Sequence, residues 1–114
     1  MSARREARLW IAQRGTAVVL AFCVVVHLAT IVYAVRGGLD ASHVLARTRG
    51  SYSWAAFYGV FVVAAAIHGA IGLRTVAAEW LRFRGRLADA VMAAIAIALA
   101  LTGFIAVAAV VGAP

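Results

Sequence analysis

Two histidines, His27 and His68, carry the most informative chemistry of the sequence, because each lies inside a long apolar run. An ionisable side chain surrounded by hydrocarbon is costly and usually has a partner or a function. A neutral imidazole is the commonest metal ligand in proteins, and haem iron takes histidines from helices. The pair therefore favours metal or haem ligation, although histidines that only hydrogen-bond a neighbouring helix or relay protons would give the same pattern.

His68 lies in the middle of a segment of small residues that runs from Ala64 to Gly72. Small residues either let two helices approach closely or leave a slot for a large flat group such as a porphyrin. Because an α-helix turns by about 100° per residue, Glu79 shares the helical face of His68. Thr30 shares the face of His27, and its hydroxyl or a backbone carbonyl is expected to hold the second ring nitrogen of that histidine.

The composition shows which elements must position these side chains. The chain is 66% hydrophobic and only 13% charged, with a mean hydropathy of +0.98, which is typical of a protein in lipid. Three apolar runs, at about residues 15–35, 52–75 and 88–111, are each long enough to cross a ~30 Å hydrocarbon core. Backbone polar groups must pair internally in a bilayer, so the sequence predicts an all-α bundle of three transmembrane helices in one anchor domain, residues 1–114.

The arginines predict the orientation of this bundle. Of the eleven, four precede the first run and four lie between the second and third, against three in the first loop. The positive-inside rule then places the N-terminus in the cytoplasm. Nucleic-acid binding is not expected despite the net charge of +7, because the charges flank spans and form no soluble face. The single cysteine excludes an intrachain disulfide and a cysteine-based zinc site. Residues 40–48 of the first loop are expected to form one or two helical turns.

A family resemblance rests on the residues around His68 and on the start of the first run. The sequence from His68 to Arg74, with Glu79 eleven residues after the histidine, resembles the second-helix signature of the membrane anchors of succinate dehydrogenase and fumarate reductase. There a histidine that ligates haem b begins a His-x-x-x-Gly pattern, and an acidic residue follows at this interval. The segment from Gln13 to Thr16 is similar to the first-helix segment beside the quinone pocket. Trp80 stands where some anchors have a tyrosine.

The resemblance implies a set of site residues and partners. It implies that His68 and His27 ligate haem iron, and that Arg74 lies near a haem propionate. It implies a site for ubiquinone or menaquinone formed by Arg14, Thr16, Glu79 and Trp80. The chain would then be a non-catalytic subunit of a succinate:quinone oxidoreductase in a bacterial inner membrane. Its partners would be the iron–sulfur and flavoprotein subunits, and it would dock both and exchange electrons with quinone.

The number of haems and the nature of the second anchor stay open in the sequence. At ~1.5 Å per residue, His27 lies ~20 Å from Arg14 whereas His68 lies only ~9 Å from Arg74, so the two histidines are not expected to bind one haem together. One or two haems per complex are compatible with this, completed by a homodimer mate or by a second anchor subunit. The alternatives are a haem-free transport or assembly protein with structural or proton-relay histidines, and an unrelated cytochrome b.

Overall fold

The computed structural model describes residues 2–38 and 40–112, which form an all-helical protein without β-strands. The helices are α1 (Ala3–Gly37), α2 (Ala41–Thr48), α3 (Tyr52–Trp80) and α4 (Arg86–Val111). By length and apolar composition, α1, α3 and α4 are each able to cross a membrane. The predicted fold class, a bundle of three long apolar helices, is confirmed.

The long helices begin or end beyond the apolar runs that revealed them. Helix α1 starts at Ala3, well before the apolar run, because the charged residues that precede this run are themselves good helix formers. Its first turn is capped by the Ser2 hydroxyl, which accepts a hydrogen bond from the backbone N–H of Arg5 at 3.2 Å. Helix α3 likewise continues to Trp80. Hydropathy therefore locates the membrane-crossing part of a helix, whereas capping locates its end.

Helix α3 is the central element, and α1 and α4 both pack against it. Its buried residues are all small, namely Ala64, Ala66, Ala70 and Ala77. Gly103 of α4 lies so close to Val62 of α3 that a Cβ at Gly103 would come within 2.5 Å of the valine side chain. The small residues of the sequence thus serve close helix packing along much of α3.

The bundle has two chemically different ends. The basic end, formed by the start of α1, the end of α3 and the start of α4, carries eight of the eleven arginines. At the opposite end, the α2 end, Thr48 is buried, and its hydroxyl reaches the carbonyl oxygen of Val110 at 2.5 Å, while the Gly50 N–H donates to the Val111 carbonyl at 2.9 Å. The last residue of α2 and the turn that follows it therefore pair the last carbonyls of α4, which a helix leaves unsatisfied.

Helix α2 forms where one or two turns were expected. Asp40 caps it by accepting from the backbone N–H of His43 at 2.9 Å, and the same carboxylate contacts the His43 ring at 2.7 Å. These hydrogen bonds, the backbone one first, lower the pKa of Asp40 to about 2. His43 is exposed, as expected for a histidine in water, and it lies in the first turn of the helix.

Candidate functional site

The imidazole of His68 is held at the interface of α1 and α3 by a hydroxyl of α1. Its Nδ1 lies 3.2 Å from Oγ1 of Thr16, and both residues are partly buried. The Thr16 hydroxyl also lies 2.7 Å from the backbone carbonyl oxygen of Ala12 and 3.1 Å from that of Gln13. A hydroxyl four residues along a helix from a carbonyl commonly donates to it, and Thr16 does so here.

This arrangement engages one ring nitrogen of His68. A threonine hydroxyl has one proton. When that proton goes to the Ala12 carbonyl, the hydroxyl oxygen accepts from Nδ1–H and Nε2 keeps its lone pair; when it goes to Nδ1, Nε2 carries the hydrogen. Metal-bound histidines have the same arrangement, in which a second group fixes one ring nitrogen and leaves the other for the metal. Because one imidazole is what a haem iron takes from each ligand residue, His68 fits an axial ligand.

The surroundings of His27 are aromatic, and they lack the support that His68 has. The His27 ring packs edge-on against Tyr58 and Phe61, with centroids 6.0 and 5.6 Å away. Its Nδ1 is buried and has no hydrogen-bond partner among the described residues. Thr30 was expected to hold this ring, but its hydroxyl donates to the backbone carbonyl of His27 at 2.7 Å. An unpaired polar atom in such a place costs free energy unless a ligand or another chain completes it.

His27 also lines a cavity of about 450 Å³ at the α2 end of the bundle. Most of its wall is apolar or small, including Phe61, Ala65 and Gly103, and Tyr58 is also part of it. The cavity thus offers an aromatic surface together with one imidazole. Such a space suits a large, mainly apolar ligand with a group that an imidazole can bind.

The two histidines lie at different depths, as the sequence predicted. Thr16 is beside His68, and His27 follows Thr16 on α1 by eleven residues, which corresponds to ~16 Å along the helix. No three His, Cys, Asp or Glu side chains within residues 2–38 and 40–112 cluster as a bare metal site would require.

The basic end is organised by Asp89, which joins all three long helices. Its two carboxylate oxygens contact Arg5 of α1 at 2.9 Å and Arg74 of α3 at 2.8 Å. Arg74, the residue expected near a haem propionate, is thus engaged with Asp89 in this chain. The sequence did carry a signal for the contact, because Asp89 is the only acidic residue in the third apolar run, and such a residue needs partners in a membrane.

The four expected quinone residues lie at two levels. Thr16 contacts His68, and Arg14 stacks over the ring of Trp10 with its guanidinium carbon 5.3 Å from the centroid. Glu79 and Trp80 lie at the far end of α3, eleven and twelve residues beyond His68, or ~16 Å and more along the helix. Within this chain the structure does not bring the four side chains into one pocket.

Gln13 is a further polar residue whose importance emerges only from the structure. Its Oε1 is buried without a hydrogen-bond partner in the described part of the chain, and its Nε2 would lie 3.4 Å from a Cβ at Gly72. Gly72 is the glycine of the His-x-x-x-Gly pattern, so the Gln13 amide packs beside the glycine of this pattern.

Comparison with known proteins agrees with the bundle of long apolar helices. Searches of the curated proteins and of the solved structures returned no match. A family model, described as the succinate dehydrogenase/fumarate reductase transmembrane subunit, matches residues 1–109. Since this match covers almost the whole chain, the protein belongs to the family of succinate dehydrogenase and fumarate reductase transmembrane subunits.

Proposed function

We propose that the chain is a haem b-binding anchor that passes electrons between the iron–sulfur subunit and a membrane quinone. The observation that supports the proposal is the contact between Thr16 and His68, which engages Nδ1 of the histidine so that Nε2 would be the nitrogen offered to a haem iron. A histidine that served packing alone would need only one satisfied nitrogen and no particular tautomer.

The residues of this chain would act by binding and orienting. His68 would hold one haem by Nε2, with Thr16 fixing the ring, and the haem would supply one-electron transfer. We further propose that His27 holds a second haem at the α2 end, because its buried Nδ1 and the adjacent aromatic cavity are otherwise uncompleted. Each iron would take its other histidine from a homodimer mate or from a second anchor subunit.

The quinone site is proposed at the basic end, with roles that follow the two levels of its residues. Arg14 is exposed beside Trp10 and can donate hydrogen bonds to a quinone carbonyl. Glu79 is exposed and lies nearer the water, so it suits proton relay to a reduced quinone. Trp80, 81% exposed, can donate its indole N–H to a ligand or to a partner subunit. Thr16 would not donate a hydrogen bond to the quinone, because its hydroxyl donates to a backbone carbonyl, and it would serve the site only indirectly.

The basic end is also the proposed docking surface for the iron–sulfur and flavoprotein subunits. Arg4 and Arg8 are exposed on the first turns of α1, beyond its apolar run. Such a cationic rim attracts an acidic partner over long distances. This role agrees with a cytoplasmic N-terminus in a bacterial inner membrane, where the same arginines would follow the positive-inside rule.

The test of haem ligation uses the assembled complex in detergent and a reduced-minus-oxidised optical spectrum. The wild type should show the sharp bands of low-spin bis-histidine haem b. His68→Ala should remove the haem that His68 would hold, and His27→Ala should remove about half of the haem that two sites would hold. A wild type without haem would establish the haem-free alternative. Full haem content in His27→Ala would make that histidine a packing residue.

The quinone site is tested by Arg14→Leu, with Arg36→Leu, at the α2 end of the same helix, as the matched control. Succinate-to-quinone and succinate-to-artificial-acceptor activities are measured separately on each assembled complex. Loss of the quinone reaction alone in Arg14→Leu is expected, since the artificial acceptor bypasses the anchor. Equal behaviour of the two variants would assign Arg14 to membrane topology.

A further inference from the structure

The start of α1 is an exposed helical segment with little packing of its own. Residues 2–8 are all exposed, and they precede the first apolar run. An exposed helix end opens readily, because few buried contacts oppose local unfolding. The Ser2 cap satisfies one N–H of the first turn, but this hydrogen bond lies within α1 and does not attach the segment to the bundle. The segment therefore depends on contacts with another helix for a fixed position.

Asp89 of α4 supplies such a contact. One of its carboxylate oxygens lies 2.9 Å from the Arg5 guanidinium, and the other lies 2.8 Å from Nε of Arg74 on α3. The side chains of Asp89 and Arg74 are only 24% and 19% exposed, whereas that of Arg5 is 48% exposed. Asp89 and Arg74 thus form a fixed base between α4 and α3, and Arg5 ties the start of α1 to this base.

The same ion pair sets the direction of the neighbouring arginines. At 100° per residue, Arg4 and Arg8 both lie about 60–100° from Arg5, on the same side of α1. Both are exposed, and neither forms an ion pair within the described residues. Once Arg5 is turned to Asp89, Arg4 and Arg8 form one exposed cationic face with a defined orientation.

We propose that Asp89 is a positioning residue for subunit docking, because through Arg5 it holds Arg4 and Arg8 ready for an acidic surface of the iron–sulfur subunit. This inference rests on the proposed docking function of the basic end. By its charge alone, a carboxylate at this end would weaken the attraction for an acidic partner. Its positioning effect outweighs this, since a surface that is ordered before association loses less conformational freedom on binding.

Asp89→Asn separates the two effects, because they have opposite signs. The variant adds one positive charge to the basic end, so charge alone would strengthen docking, whereas the loss of positioning weakens it. We expect the full chain in detergent to bind the soluble pair of iron–sulfur and flavoprotein subunits about fivefold more weakly, the effect of one partly exposed ion pair. Glu6→Gln is the matched control, since it changes the charge equally without breaking an ion pair of the described residues, and it should bind at least as tightly as the wild type.

Hydrogen exchange of the anchor alone tests the ion pair without the partner subunits. Asp89→Asn should speed exchange of the amides in the first three turns of α1 about fivefold. Arg5→Gln should do the same, and it keeps the ion pair between Asp89 and Arg74, so it serves where Asp89→Asn does not fold. Thr48→Val, which loosens the α2 end, should change neither this exchange nor docking.

Two results would overturn the inference. One is unchanged exchange at the start of α1 in both variants, and the other is docking of Asp89→Asn that is as tight as that of the wild type or tighter. A wild type that does not bind the soluble pair would refute the docking function itself, so failure of that function is distinguishable from failure of the inference.

Discussion

Removal of the Thr16 hydroxyl is the sharpest test of how this chain prepares a histidine for metal. In Thr16→Val the side chain keeps its shape but loses the hydroxyl oxygen that lies 3.2 Å from Nδ1 of His68, so Nδ1–H would have no acceptor there. A partly buried donor left without a partner costs ~1–3 kcal/mol. The histidine can avoid this cost by moving its proton to Nε2 or by rotating, and either change removes the lone pair from its working position.

The expected magnitude follows from this competition between tautomers. Loss of a group that orients a metal-bound histidine typically costs ~10–100-fold in affinity, or ~1.4–2.8 kcal/mol. We therefore expect Thr16→Val to weaken haem binding by about this factor, with the reduced spectrum unchanged in shape at saturating haem. The midpoint potential should rise, because an imidazole whose Nδ1–H is bonded is more basic and favours the ferric state.

The assay is a haem titration of the apo complex, followed at the Soret band. Thr16→Ser restores the hydroxyl and should bind haem as the wild type does. Thr102→Val is the matched control, since the Thr102 hydroxyl bonds only backbone carbonyls of its own helix. Equal affinities for the valine and serine variants at position 16 would refute the orienting role of the hydroxyl.

Three further predictions concern the scaffold. Gly103→Ala should destabilise the bundle by ~1–3 kcal/mol in a detergent unfolding assay, because its Cβ would meet the stiff Val62 side chain within 2.5 Å, and Val62→Ala should restore stability. Thr48→Val should speed hydrogen exchange in the last turn of α4, since the Val110 carbonyl loses its donor, whereas Thr48→Ser should not. The pKa of Asp40 is lower in the folded protein than in the unfolded chain, so its cap should stabilise α2 fully above pH 3.8 and lose this effect as the pH falls through about 2. Hydrogen exchange of α2 should show this pH dependence, and Asp40→Asn should abolish it.

The fold was predictable from the sequence because one physical requirement dominates it. A chain in lipid must pair its own backbone, so apolar runs of sufficient length become helices whatever their neighbours are. The ends of the helices were less predictable, since the residues after Ser2 are charged and leave the apolar pattern while they continue the helix. The eight-residue α2 depends on an Asp40 cap and on contacts with α4, and the latter involve residues far away in sequence.

The types of residue in the candidate site were predictable from the sequence, whereas the hydrogen-bond and packing partners of these residues were predictable only in part. His27 and His68 are identifiable because ionisable groups are rare in apolar runs. Their environments differ because different residues of the neighbouring helix lie opposite them. The helical periodicity of the sequence does not predict which residues these are. For His68 this residue is Thr16, whereas His27 faces the aromatic side chain of Phe61. The residues that share one face of a helix follow from the local sequence, whereas the register between two packed helices depends on the tertiary structure.

This difference between the histidines indicates which part of the site needs a second chain most. His68 already has one ring nitrogen satisfied within the chain, so a ligand or partner has only to meet Nε2. At His27 a buried nitrogen has no partner among the described residues, which costs ~1–3 kcal/mol in the isolated chain. Any assembly that supplies a donor, an acceptor or a metal there recovers this free energy in addition to its own contacts. The α2 end should therefore gain more stability from assembly than the region around His68 does.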